Sequence, residues 1–282
     1  MENTFNQNIQ KSSDLNSILF PVEKVEHPAI AMGYDVNPVE QFVVQADLGN
    51  GKKTILKHTA DRYKIVPNAE IYPALEALFA THPSTKNFER TITNIDNLRF
   101  NVRYQFPDQK TSIGASGDTV WSALDVGNSY DHGRSLYDMR LVWREVCSNG
   151  MMGWVSTFKV RSRHTKIVSQ RIEQIFLNAL EGIEQFEEQT AKYEVLASAV
   201  RQTNWEERLE EVAKKSGMPK FHDEAKAIVR KEAKDLYGGV VNDFLIYNAI
   251  NHCIFNDDLN KKAYEVRAET DQKVFNNLVM SI

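Results

Sequence analysis

The chain has few of the residues and segments that specialised classes of protein require. It contains 2 cysteines among 282 residues, too few for the disulfide framework of a small secreted domain. No apolar run approaches the roughly 20 residues that span a bilayer, and residues 1–16 lack the apolar centre of a secretory signal. The sequence therefore predicts a soluble cytoplasmic protein without a membrane segment, in which both cysteines are free thiols.

The chain also lacks an excess of positive charge. It has 34 Lys and Arg against 38 Asp and Glu, a formal net charge of −4. A general nucleic-acid coat binds phosphate by bulk charge and needs a large Lys and Arg excess. The composition therefore excludes that class, and any contact with nucleic acid must come from a local patch.

Signatures of catalysis and of cofactor binding are missing as well. The glycines form neither a phosphate-binding loop nor a dinucleotide fingerprint. The 7 histidines are scattered, and neither cysteine belongs to a Cys-x-x-Cys pair. Cys147 lies in no nucleophile elbow. We therefore expect no enzymatic activity, no cofactor and no bound metal.

The hydrophobic pattern of the first 168 residues predicts a polar arm followed by a β-rich core. Residues 1–40 are polar and interrupted by prolines, which is typical of a flexible arm. Residues 41–168 carry strand patterns, most clearly at 97–106, where apolar and polar side chains alternate. Residues 63–70 introduce one helix, whose apolar positions Ile71, Leu75, Leu78 and Phe79 fall at helical spacing before Pro83 ends it. We expect a central antiparallel sheet.

From Ser169 onward the hydrophobic period becomes helical. Ile172, Ile175, Phe176, Ala179, Ile183 and Phe186 form one stripe, and glutamates lie largely away from it. This predicts a long amphipathic helix followed by a mostly helical region, 169–282, that packs on the same core. The fold class is therefore α+β, and the C-terminal helices are candidate surfaces for a protein partner or for a homo-oligomer.

Residues 146–172 form the longest stretch that has basic residues and no acid. This acid-free stretch contains Lys159, Arg161, Arg163, Lys166 and Arg171, with His164 among them. Arginines two apart on a strand point the same way, and guanidinium groups pair well with phosphate oxygens. The competing interpretation is a strand edge that charge protects against aggregation.

Together with arginines of the predicted strands, the acid-free stretch outlines a basic groove on the sheet. The candidate phosphate contacts are Arg99, Arg103, Arg134, Arg140, Arg144, Lys159, Arg161, Arg163, His164 and Lys166. Tyr130 and Trp154 border polar segments and are the candidate stacking partners for bases, although either aromatic ring could instead close the core.

Four blocks of sequence resemble one known pattern. They are residues 61–70, 147–151, 161–165 and 245–252. In this order they resemble the phage- and plasmid-borne family named domain of unknown function 932, over residues from about 40 to 280. The resemblance implies a mobile-element protein of the host cytoplasm, encoded near recombination and single-strand-binding genes. It offers no catalytic motif to transfer.

Three hypotheses follow for the function. The first is binding of single-stranded DNA through the basic groove, in annealing or recombination. The second is a non-enzymatic interaction protein that binds a host or phage protein through the long helix from Ser169. The third is a nuclease, which would need clustered carboxylates to hold Mg²⁺. The only candidates for that cluster, expected to be spread over loops, are Asp118, Asp125, Asp131 and Asp138.

Overall fold

A computed structural model of the chain describes residues 9–49, 51–115, 118–131, 136–144, 168–201, 203–218, 222–255 and 264–282. These residues form eight strands and eight α-helices. The strands are β1 (Ile9–Ser12), β2 (Val22–Glu26), β3 (Phe42–Asp47), β4 (Lys53–Thr59), β5 (Glu89–Ile95), β6 (Arg99–Ile113), β7 (Asp118–Ser129) and β8 (Tyr137–Arg144). The predicted α+β class is confirmed.

Most of the helices lie in the C-terminal part of the chain, as the period change at Ser169 predicted. They are α1 (Pro28–Ala31), α2 (Asn68–Thr81), α3 (Val168–Glu184), α4 (Phe186–Ser198), α5 (Trp205–Lys215), α6 (His222–Leu236), α7 (Asp243–Phe255) and α8 (Tyr264–Val279). Two short 3-10 helices, Leu15–Ile18 and Pro38–Glu40, precede β2 and β3. None of these described helices is long and apolar enough to cross a membrane.

The strands form two sheets. The larger has the order β1-β5-β6-β7-β8, and the smaller has the order β2-β3-β4. The pairs β1–β5, β5–β6, β2–β3 and β3–β4 are antiparallel. Between β5 and β6 the chain turns at Asp96 and Asn97, whose φ angles of 55° and 57° suit the tight turns of hairpins.

The chain divides into two compact units, each of which combines strands with helices. Among the described residues, the first unit comprises 9–105, 124–139 and 168–180, and the second comprises 106–123, 140–144 and 181–282. Each unit is therefore assembled from three separate segments of the sequence.

The core of the first unit forms on one face of β6. Phe100, Val102 and Tyr104 are buried, whereas the residues between them are partly exposed, which confirms the predicted alternation. The Tyr104 ring packs edge-on against Phe79 of α2, with ring centroids 5.1 Å apart. Helix α2 therefore covers the apolar face of this strand.

Residues 9–40, expected as a flexible arm, contribute elements to both sheets. Ile9–Ser12 pairs with β5, with Ile9 opposite Ile95. Val22–Glu26 pairs with β3, with Val22 opposite Ala46. Strand pairing with distant segments orders this polar part of the chain, because each pairing satisfies its backbone hydrogen bonds.

The block at residues 61–70 closes the first unit through buried hydrogen bonds. The Asn128 side-chain amide donates to the Val66 carbonyl oxygen at 2.9 Å and to Asn68 Oδ1 at 2.8 Å. Asn68 Nδ2 in turn donates to the Ile18 carbonyl oxygen at 3.0 Å, and its backbone N–H donates to the Tyr130 hydroxyl at 2.9 Å. This block is therefore part of the structural core.

Helix α7 lies at the centre of the second unit. All of its residues except His252 and Phe255 are buried, so it lacks the polar face of a surface helix. It carries the 245–252 block, which therefore also belongs to the core. Helices α4, α6 and α8 each contact α7.

Candidate nucleic-acid interface

Arg103 and Arg99 lie on the polar face of β6, four residues apart, as the alternation predicted. Arg103 binds Asp125 of β7 with both sides of its guanidinium: Nε donates to Oδ1 at 2.6 Å and Nη2 donates to Oδ2 at 2.8 Å. Arg99 Nε donates to Asp131 Oδ2 at 2.7 Å. Each positive charge on this face is therefore matched by a neighbouring carboxylate.

Asn101 and Tyr137 extend this network between the two arginines. The Tyr137 hydroxyl donates to Asn101 Oδ1 at 3.2 Å, and Asn101 Nδ2 donates to Asp125 Oδ2 at 3.3 Å. Gly127 of β7 has no side chain, which leaves room for the Tyr137 ring. The result is a largely buried network of hydrogen bonds in the first unit, which links Tyr137, Asn101, Asp125 and Arg103.

Arg144 is buried in the core of the second unit. Its Nε donates to Asp118 Oδ2 at 2.6 Å and its Nη1 donates to Glu232 Oε2 at 2.8 Å. The Tyr237 hydroxyl donates to the same Asp118 oxygen at 3.0 Å, and the guanidinium lies over the Phe244 ring. A buried charge must be paired in this way, so Arg144 is a structural residue in this arrangement.

Arg140 is also engaged inside the second unit. Its Nη2 lies 3.6 Å from Glu181 Oε2, and its Nη1 donates to Gln185 Oε1 at 3.4 Å. Gly182 of α3 makes room for its aliphatic stem, since an added Cβ would lie 2.5 Å from Arg140 Cδ. Salt bridges and packing therefore fix this side chain against a helix.

The four described arginines that the sequence predicts as phosphate contacts differ in how far their side chains are exposed to solvent. The side chain is 36% exposed in Arg99, 20% in Arg103, 9% in Arg140 and 0% in Arg144. A phosphate would reach Arg99 most easily, although it would have to compete with Asp131.

Tyr130 lies in the core of the first unit. Its ring is fully buried and packs edge-on against Phe100, with centroids 5.1 Å apart. Burial raises the pKa of its hydroxyl, which accepts the hydrogen bond from the Asn68 backbone. A stacking role would require the ring to leave the core, so the structure places it in the alternative, core-closing position.

The rest of the predicted interface lies outside the described residues. This holds for Arg134, Trp154, Lys159, Arg161, Arg163, His164 and Lys166, and for the two sequence blocks at 147–151 and 161–165. The last basic residue of the acid-free stretch, Arg171, is described. It lies half-buried in the first turns of α3, where burial lowers its pKa and the Asp138 carboxylate opposes that shift.

Three of the four aspartates considered for Mg²⁺ lie in strands, so the expectation that loops carry all four was wrong. Asp118 and Asp125 lie in β7, Asp138 lies in β8, and Asp131 follows β7 by two residues. Three bind the arginines described above, and Asp138 accepts a hydrogen bond from Asn178 Nδ2 at 2.6 Å. Among the described residues, no group of three or more His, Cys, Asp or Glu is placed to hold a metal ion.

Comparison with known proteins identifies a family but no characterised relative. A family model described as Domain of unknown function (DUF932) matches residues 55–273. No curated protein matches the chain, and no solved structure does.

Proposed function

Because the chain belongs to the family described as Domain of unknown function (DUF932), whose description assigns no activity, we propose its function on physical grounds. The protein binds single-stranded nucleic acid through the acid-free stretch, residues 146–172. On a phage or plasmid, this binding would serve annealing or recombination.

The separation of charge along the chain carries this proposal. The acid-free stretch has five Lys and Arg and no Asp or Glu. The rest of the chain then has 29 basic and 38 acidic residues, a formal charge of −9. A local basic segment in an acidic chain can attract phosphate without the non-specific binding of a generally basic protein.

Most sheet arginines are already paired, which reduces the set of candidate phosphate contacts. Arg103, Arg140 and Arg144 are engaged by carboxylates, so the proposal assigns phosphate binding to the side chains of the acid-free stretch. These are Lys159, Arg161, Arg163 and Lys166, with His164 beside them. Arg99 is the most exposed of the sheet arginines and is the one described side chain that the proposal retains. Trp154 is the stacking candidate.

A binding assay with paired variants tests the proposal. The fluorescence anisotropy of a labelled single-stranded oligonucleotide is measured at low salt with the wild-type protein and with Arg161→Ala/Arg163→Ala. Loss of two guanidinium–phosphate contacts should weaken binding about tenfold or more. The matched control is Lys57→Ala/Arg62→Ala, which removes two positive charges from exposed positions. The control should bind within about twofold of the wild type.

Two outcomes would contradict the proposal. One is absence of oligonucleotide binding at low salt. The other is an equal loss of affinity in the control and in the test variant, which would show that net charge alone explains the binding. Capture of a host protein that persists after nuclease treatment, combined with absence of oligonucleotide binding, would instead support an interaction protein.

A further inference from the structure

Asp271 is a carboxyl group buried inside the helical part of the second unit. It lies on α8 and is 0% exposed. Its Oδ2 accepts a hydrogen bond from the Tyr247 hydroxyl at 3.0 Å, and its Oδ1 accepts one from Asn251 Nδ2 at 2.9 Å. Both donors belong to α7, are themselves buried and are electrically neutral. The carboxyl group therefore joins α8 to α7 through two hydrogen bonds.

Among the residues that the structure describes, no ion pair joins Asp271 to a cation of a neighbouring helix. Helix α4 brings the neutral Tyr193, whose ring centroid lies 5.8 Å from that of Tyr247. From α5, Arg208 binds Asp243 and the carbonyl oxygen of Leu278. On α8 itself, Arg267 donates to the carbonyl oxygen of Phe255 and lies over its ring.

Burial without a paired cation disfavours the ionised form of a carboxyl group. Removal from water raises the pKa of Asp271 to about 7, although the hydrogen bonds from Asn251 and Tyr247 act in the opposite direction. Tyr247 and Tyr193 supply no charge that could balance an ionised Asp271. Burial also raises the pKa of both hydroxyls and keeps them neutral.

We propose that Asp271 is a proton-operated switch in the helical part of the second unit. With a proton on its carboxyl group, α8 stays docked on α7 as a neutral, hydrogen-bonded contact. Loss of the proton places an uncompensated charge between the two helices and loosens their contact. Because α7 forms the centre of this unit, the switch acts on its most buried helix.

The pH dependence of stability follows from the pKa of Asp271 in the unfolded and the folded chain. In the unfolded chain the group ionises near its ordinary pKa of 3.8, and in the folded chain it ionises near 7. The folded state therefore holds the proton more tightly between these values. The stabilisation is complete below pH 3.8 and is lost as the pH rises through 7.

Thermal unfolding of the full chain between pH 5.5 and 8.5 tests the switch. The wild-type melting temperature should fall by about 4–8 °C more than that of Asp271→Asn, which is neutral at every pH. The control, Glu269→Gln, removes an exposed carboxyl group of the same helix and should behave as the wild type. Equal pH dependence in the wild type and Asp271→Asn would overturn the proposal.

A second measurement does not depend on the folding of any variant. In wild-type protein labelled with ¹³C at aspartate, the Cγ resonance of Asp271 should titrate near neutral pH. Amide exchange in α7 and α8, corrected for intrinsic rates, should accelerate over the same pH range. A resonance that titrates near pH 4 would overturn the proposal, and so would unchanged protection of both helices.

Discussion

At the scale of single residues, the aspartates of β7 decide what the neighbouring arginines can do. A guanidinium group binds phosphate well because it offers a fork of donors. In Arg103 that fork is already occupied by Asp125, and in Arg144 it is occupied by Asp118 and Glu232. The same residue type therefore serves the core in the described sheet, whereas we propose that it serves binding in the acid-free stretch.

Replacing Arg144 with alanine should test this structural role. The substitution leaves Asp118 buried without its cation, and breaking a buried ion pair from one side costs about 3–5 kcal/mol. The free energy of unfolding from urea denaturation should therefore fall by that amount. Arg62→Ala, at an exposed position, should change it by less than about 0.5 kcal/mol.

A different result would give Arg144 another role. If Arg144→Ala kept the wild-type free energy of unfolding and lost oligonucleotide binding, Arg144 would be a phosphate contact and its described pairing would not govern its behaviour.

Sequence reasoning found the arginines but not their partners. The polar face of β6 follows from alternation, so Arg99 and Arg103 were expected on one side. The distances from the turn between β6 and β7 contain a usable signal. Arg99 lies 14 residues before Ile113, the last residue of β6, and Asp131 lies 13 residues after Asp118, the first residue of β7. Residues at similar distances from the turn of a hairpin lie near each other, which brings opposite charges together.

At the scale of secondary structure elements, β7 depends on a glycine in its middle. Every residue from Ser122 to Ser129 is buried, so both faces of this part of the strand are covered. A Cβ added at Gly127 would overlap the Cε1, Cζ and hydroxyl positions of the Tyr137 ring. Glycine weakens a strand interior unless another group approaches the backbone closely, and here the ring does so.

The substitution Gly127→Ala should destabilise the protein by about 1–3 kcal/mol, because the new methyl group overlaps the packed ring. Urea denaturation measures the loss. In a Tyr137→Ala background the same substitution should cost almost nothing, since the overlapping ring is gone. An equal cost in both backgrounds would show that backbone effects, and not the ring, explain the need for glycine.

Elements with a strong period were predictable, and short elements were not. Helix α2 and strand β6 follow from the spacing of their own apolar residues. Strands β1 and β2 have only 4 and 5 residues, and their pairing with β5 and β3 orders them. A polar composition therefore suggested an arm where the structure has two strands, because a short sequence pattern does not show a distant partner.

At the scale of the whole molecule, the fold class was predictable because the period of the hydrophobic pattern changes from two to 3.6 residues near Ser169. The division into two compact units was not predictable, because each unit is assembled from three separated segments of the sequence. Helix α7 illustrates the difference: its apolar content suggests burial, but only the helices packed around it reveal a central position. The candidate site follows the same rule, since local charge is read directly from the sequence, whereas pairing across strands requires the alignment of one strand with the next.

The dependence of oligonucleotide affinity on salt is the most direct test of the central claim, that the acid-free stretch binds the phosphates of a single strand. Each neutralised phosphate makes the slope of log K against log salt more negative by about 0.7. The five Lys and Arg side chains assigned to phosphate, Lys159, Arg161, Arg163, Lys166 and Arg99, therefore predict a slope that reaches about −3.5. The wild-type slope should be steep, and the Arg161→Ala/Arg163→Ala variant should lose about 1.4 of it. A flat response in the wild type, or an unchanged slope in the variant, would contradict the account.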